Sequence, residues 1–314
     1  MALGHRLFGP TGVKVSPLTL GTMRFSEKGL SVSSVRSLIS YAFEAGVTTH
    51  HVSNEYPSFE LYREALSTFP KSFRDNLVII AKLPFPHFKD VDLDVSVFRQ
   101  RVDRYLEWLG VDKIDVVQWL FRSEPPDDSI RIPRLSACAE DLRGCFRDLI
   151  RSRKVGNIAA FPYTCGFWRL SAKLGLVDSQ VNYLNLIETE YSEFLEDCHF
   201  IAIRPLAAGK LSGRGGGIGP DLAGALKAAS IEGNDFPESL MGMALNFPLW
   251  HPNVASVIVG ANSCRDLGDV LSLLRPEVNI GRFNRALRLL RSRQPVHEVQ
   301  RGMPANETLG SIGG

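Results

Sequence analysis

"NLVIIAKLP" (Asn76–Pro84) is the stretch on which the fold turns. Its apolar, β-branched run is short and carries little polar alternation, the pattern of a strand buried on both faces. After it, Phe98, Val102, Tyr105, Leu106 and Leu109 recur at helical spacing and Gly110 ends the helix. A second buried run, "IDVVQWLF" (Ile114–Phe121), then follows. Strand, covering helix and strand in that order make a unit whose two strands run parallel.

The same unit repeats on either side. Upstream, "PLTLGTM" reads as a strand and "SSVRSLISYAFEAG" as a helix, with Val35, Leu38, Ile39 and Ala42 on one face and Gly46 at its end. "TTHHVS" is the next strand and "SFELYREALS" the next helix. Downstream, a helix ends at "CFRDLIRSRK", and the alternation continues through "VGNIAAFP", "GFWRLSAKLG", "SQVNYLN", "SEFLEDC", "FIAIRPLAAG", "SLMGMALNF", "VASVIVGA" and "CRDLGDVLSLL". Eight such units in about 270 residues fit a closed (β/α)8 TIM barrel better than an open doubly wound sheet. Residues 1–294 are expected to form this single α/β domain, with "RFNRALRLLRSR" as a C-terminal extra helix outside the repeat. Residues 295–314 read as a polar, flexible tail.

Composition narrows the function. The chain is 44% hydrophobic and 22% charged with a formal net charge of +2, which argues against a nucleic-acid or membrane-surface partner. Cys138, Cys145, Cys165, Cys198 and Cys264 are odd in number and lack metal-ligand spacing. They read as reduced thiols of a cytoplasmic protein, with no metal site expected. "MALGHRLFGPTG" lacks the apolar core of a signal peptide, and no apolar run reaches the ~18 residues of a membrane span. The glycine-rich "SGRGGGIGP" (Ser212–Pro220) does not match G-x-G-x-x-G and follows the seventh strand rather than the first. It reads as a flexible loop on the catalytic face.

Several segments together resemble the aldo-keto reductase family over nearly the whole chain. "LFGPTGVKVSPLTLGTM" is similar to that family's N-terminal β-hairpin and first strand, "RPLAAGKLSG" to its seventh-strand segment and "SVIVGANS" to its eighth. "DSQVNYLN" carries Gln180 at the position that contacts the nicotinamide carboxamide in the family. The resemblance implies NADPH- or NADH-dependent reduction of a small carbonyl substrate. In it hydride comes from nicotinamide and a tyrosine gives the proton, assisted by lysine, aspartate and histidine. Tyr56 and Lys82 match the tyrosine and lysine, whereas the aspartate position is His51 and the histidine position is Leu120. Two of the four usual catalytic positions are thus replaced. The resemblance further implies cofactor contacts from Gly21, Thr22, Gln180, Arg204, Leu206, Gly209, Asn262, Arg265 and Asp266. Phe161 and Pro162 stand where the family has a Ser-Asn pair that holds the carboxamide, and Val270 departs from the adenosine-end pattern. A monomer is the expectation for this kind of barrel.

The substitutions change the chemistry on offer. A free tyrosine titrates near ~10, and an adjacent ammonium makes it a better acid. His51 in place of aspartate removes the negative charge that would keep Lys82 protonated, so a neutral Lys82 is expected. His51 itself, with an ordinary pKa near ~6.5, is a candidate substitute relay. Leu120 offers no donor to a carbonyl oxygen; Trp119, Arg122 and His87 are further candidates by loop position. Three readings follow. One is an atypical reductase using Tyr56, Lys82 and His51. The second is a non-redox proton-transfer enzyme, an isomerase or lyase, using the same three residues. The third is an inactive barrel that binds a ligand or a protein partner.

Overall fold

The apolar runs pair edge to edge and close on themselves. A computed structural model of the chain describes residues 3–88, 90, 93–123, 127–212 and 239–292. Strands β1 (Arg6–Phe8) and β2 (Val13–Val15) form an antiparallel hairpin. Eight parallel strands follow: β3 (Leu18–Gly21), β4 (Thr49–Val52), β5 (Val78–Pro84), β6 (Ile114–Leu120), β7 (Val155–Ala160), β8 (Ser179–Tyr183), β9 (His199–Ile203) and β10 (Val254–Gly260). Each pairs with its neighbour in chain order, and β10 returns to pair with β3, so the sheet is a closed barrel.

The helices are α1 (Val32–Glu44), α2 (Phe59–Ser67), α3 (Lys71–Arg74), α4 (Val95–Leu109), α5 (Asp128–Arg151), α6 (Cys165–Lys173), α7 (Leu240–Asn246), α8 (Cys264–Leu273) and α9 (Ile280–Arg291). Their starts follow local chemistry. Ser31, Asp94, Asp127, Thr164, Ser263 and Asn279 each cap a first turn by accepting a backbone N–H. Gly110 stops α4 in the left-handed conformation, at φ 59. The segment "SEFLEDC" departs from the expected alternation, for Glu190–Phe194 makes a 3-10 turn instead of an α-helix. The turn leans on Asn185, whose side chain accepts from the N–H groups of Ile187 and Glu188. The glycine-rich run beyond Ser212 and the 295–314 tail lie outside the described residues.

Strand alternation divides the side chains between two cores. Ile80, Val116, Ala159, Val181, Ile201 and Ala255 fill the barrel, and Phe8 and Val15 of the hairpin plug it from below. Val117, Trp119, Phe98, Val102, Tyr105 and Leu142 pack between strands and helices. Burying side chains of this size contributes roughly 1.5–3 kcal/mol each. The extra helix α9 joins the outer layer by stacking Phe283 on Phe247, ring centroids 5.0 Å apart. Among the described residues no helix is long and apolar enough to cross a membrane.

Candidate active site

The two-residue strand period decides which histidine faces the barrel. Thr49 bonds to Ser16 inside, so His51 also points inward while His50 points out toward α2. In register, His51 lies between Gly21 and Ile80, and Lys82 lies opposite Gln118. Lys82 and Gln118 are each one inward step above the interior residues Ile80 and Val116, toward the C-terminal ends of the strands. Barrels of this class carry their chemistry at that end.

Gln118 sets the state of His51. Its Nε2 donates to the Val181 carbonyl at 2.8 Å, which turns Oε1 toward His51 Nε2, also at 2.8 Å. An amide oxygen only accepts, so His51 carries its proton on Nε2 and a lone pair on Nδ1. That lone pair faces the Tyr56 hydroxyl at 3.4 Å, and Tyr56 donates to it. Burial pushes the His51 pKa down to about 4; the Gln118 bond opposes the shift and the Lys82 charge adds to it. The near-neutral titration expected of His51 from its residue type therefore does not hold. It is a neutral imidazole across the physiological range.

Tyr56 is placed by a short turn. Its N–H reaches the Ser53 carbonyl at 3.0 Å, and Ser53 Oγ accepts from Glu55 N–H at 3.2 Å. Tyr105 from α4 ties this turn to β5, its hydroxyl accepting from Asn54 N–H and donating toward the Lys82 carbonyl, both at 2.8 Å. The Lys82 ammonium then lies 5.7 Å from the centre of the Tyr56 ring. Tyr56, Lys82 and His51 thus come together, as their strand positions suggested.

Glu55 is the functional candidate that sequence reasoning missed. Its carboxylate is 3.6 Å from Lys82 Nζ and 3.2 Å from His87 Nε2. Arg122 grips both oxygens, Nη1 on Oε1 and Nη2 on Oε2 at 3.0 Å. Arg122 Nε also donates to the Tyr163 hydroxyl at 3.2 Å, and its guanidinium lies 4.9 Å from the Phe88 ring centre. Burial alone would raise the Glu55 pKa, but the His87 bond and the Lys82 and Arg122 charges outweigh it and hold the carboxyl at about 2. The expectation that Lys82 lacks an anionic partner therefore fails. The legible signal was that Glu55 is the carboxylate within "HHVSNEY" and adjoins Tyr56. Gln118 was also readable, two residues before Leu120 and so on the same strand face.

The remaining candidates are dispersed. The Leu120 side chain is buried at the end of β6 and carries no hydrogen-bonding group. Phe161 meets Tyr163 and Tyr183 edge-on, at 4.7 and 5.2 Å between centroids, and Arg204 lies 4.8 Å from the Tyr183 ring centre. Gln180 is fully buried on the outward face of β8, in register with Ala160 and Phe200 and alternate to the interior Val181. Its amide is spent on Cys198 Sγ at 3.7 Å and on Asn182 Nδ2 at 3.0 Å, so the nicotinamide contact expected of it does not hold. Thr22 bonds the His51 carbonyl through both its N–H and its hydroxyl, beside Gly21 at the end of β3. Asp266 turns back on its own helix start and accepts from Asn262 N–H at 3.3 Å, while Arg265 is exposed there. Val270 and Pro162 are buried.

The fit of these residues to a dinucleotide differs between its ends. After β9, Arg204, Ala207, Ala208 and Gly209 all have positive φ, at 55, 46, 57 and 96. Side chains rarely adopt that conformation, and a cluster of it marks ligand clamps and anion-binding turns. The Leu206 carbonyl closes this turn by accepting from Gly209 and Leu211. A turn of that kind is able to receive an anion. Where the resemblance would place the nicotinamide, Phe161 and Tyr183 form an aromatic wall and Gln180 faces the outer layer instead. Among the described residues no group of three or more His, Cys, Asp and Glu is placed to hold a metal ion.

Comparison with known proteins agrees with this fold. The sequence model described as the Aldo/keto reductase family matches residues 17–285. Among solved structures, an aldo-keto reductase from Bacillus halodurans in its holo form superposes with a TM-score of 0.68 at 18% identity, covering 91% of this chain and 96% of that one. A Pseudomonas aeruginosa protein assigned to the same reductases gives 0.62 at 19% identity, covering 91% and 97%. At such identities these structures speak for the fold alone. No curated protein matches the sequence at a significant level.

Proposed function

The chain belongs to the aldo/keto reductase family, and on that premise we propose that it is an oxidoreductase that reduces a small carbonyl compound with NADPH or NADH, Tyr56 giving the proton. The observation that carries the reading is the convergence of Tyr56, His51 and Lys82 at the C-terminal mouth of the barrel. When bound, the dihydronicotinamide supplies the hydride. Arg204, Leu206 and Gly209 after β9, with Asn262, Arg265 and Asp266 at the start of α8, are the residues that would hold its phosphate and ribose end. Gly21 and Thr22 belong to the nicotinamide side.

The chain's own groups account for the proton. Charge on Lys82 favours the phenolate form of Tyr56 and makes its hydroxyl a better acid toward a developing alkoxide. Neutral His51 accepts from that hydroxyl through Nδ1 at 3.4 Å, a long bond with which a substrate oxygen would compete for the Tyr56 proton. Leu120 leaves the carbonyl without a second donor, so orientation falls to Tyr56 itself. A missing orienting group costs roughly 10²–10⁴-fold in rate, which makes this a slow or specialised reductase.

Calorimetric titration with NADPH and then NADH tests the proposal. Binding in the low micromolar range, followed by carbonyl reduction that Tyr56→Phe abolishes, is the expected outcome. No heat with either up to millimolar concentration would sink hydride transfer. A second reading is favoured by the engaged Gln180 amide and the aromatic wall of Phe161 and Tyr183. In that reading the same mouth performs non-redox proton transfer, and substrate turnover proceeds without either nucleotide.

A further inference from the structure

We propose that Glu55 is a positioning residue that supplies Lys82 with the negative charge position 51 does not carry, held in place by Arg122 and His87. This role rests on the reading of Tyr56 as proton donor and Lys82 as its charged neighbour. The inward position at the end of β4 holds a neutral imidazole, committed to Gln118 on one side and Tyr56 on the other. Four residues further on, the chain turns back and delivers a carboxylate to the same ammonium from above, at 3.6 Å. A charge at that separation acts on Lys82 as strongly as one on the strand itself, because Coulomb energy depends on distance and local polarity and not on chain position.

The carboxylate is not a casual surface group. Arg122 is almost wholly buried, and a buried guanidinium requires an anion. Its bidentate grip, with His87 on the same oxygen, fixes Glu55 in one orientation. Three loops, after β4, β5 and β6, are tied together by this single residue. The groups that face Lys82 are His51 on β4, Glu55 and Tyr56 on the following turn, the Tyr105 hydroxyl on α4 at its carbonyl, Gln118 opposite it on β6, and Arg122 beyond β6. A purely structural role is met by the Glu55–Arg122 pair alone and leaves the charge state of Lys82 indifferent to residue 55.

Protein labelled with 13C at lysine Cε separates the two, with the Lys82 resonance assigned from Lys82→Met. An opposite charge within ~6 Å favours the charged form by roughly 10- to 1000-fold. Glu55→Gln, which keeps a hydrogen bond to Arg122, is therefore expected to raise the amine fraction of Lys82 at pH 8 by about tenfold or more. Glu55→Asp is expected to rescue the wild-type titration, and so is the double variant His51→Asp with Glu55→Gln, which moves the charge back to the strand. An unchanged Lys82 titration in Glu55→Gln overturns the proposal. Should that variant fail to fold, the double variant is compared with His51→Asp alone: a higher Lys82 amine fraction in the double variant supports Glu55 as a counter-charge, and an equal one refutes it. The readout needs no turnover. A shifted resonance in a chain that reduces no carbonyl upholds the assignment of Glu55 and rejects carbonyl reduction.

Discussion

His50 is the sharpest test of the burial physics. It is fully buried between β4 and α2, with Nδ1 2.8 Å from the Tyr62 hydroxyl and Nε2 without a hydrogen-bond partner among the described residues. Burial lowers its pKa to about 3, and burial likewise lowers that of His51 to about 4. Both lie below the ordinary value near 6.5, so on acidification the unfolded chain takes up each proton before the folded chain does. The stability tied to keeping these rings neutral is complete above about pH 6.5. It is lost as pH falls through 6.5 toward the folded values. One proton is worth about 1.4 kcal/mol per pH unit, so between pH 7.5 and pH 5 each ring costs the fold about 2 kcal/mol. Together they remove about 4 kcal/mol, a large part of the 5–15 kcal/mol typical of a folded chain. His50→Asn keeps a polar contact to Tyr62 but cannot take a proton. Urea denaturation at pH 7.5, 6 and 5 is expected to show wild type losing about 2 kcal/mol more than His50→Asn across that range. Equal losses in the two proteins would refute the account of His50 as a buried neutral ring.

Three further outcomes follow from the same structure. Tyr56→Phe is expected to lower the kcat of carbonyl reduction by roughly 10²–10⁴-fold with little change in nucleotide affinity, read by steady-state kinetics beside calorimetry. Gln118→Leu strands the His51 Nε2–H and the Val181 carbonyl, a loss of about 2–4 kcal/mol in urea denaturation, whereas Gln118→Glu should raise the His51 pKa above about 4, visible by NMR titration. Gly156→Ala would set a methyl group 2.5 Å from the Asp115 carbonyl on the neighbouring strand; the β6–β7 pairing must open, at a cost of about 1–3 kcal/mol in the thermal midpoint or urea curve.

The sequence by itself determined the eight strands and most of the helices that cover them, with "SEFLEDC" the exception. Those features are local, for an apolar run such as "NLVIIAKLP" and a two-residue alternation are written in adjacent residues. Closure was not local. Nothing in "PLTLGTM" or "VASVIVGA" states that Leu18–Gly21 pairs with Val257–Gly260, and only the accumulated tilt of all the strands brings those edges together. The character of the site depended on that closure. His51 meets Gln118, and Glu55 meets Arg122, each across 67 residues of chain. Position 51 alone predicted a lysine without a counter-charge, and the barrel delivered one from Glu55. Coulomb attraction, desolvation and hydrogen bonding all act over a few ångströms of space. Which groups fall within that range is decided when the chain closes, not along its length.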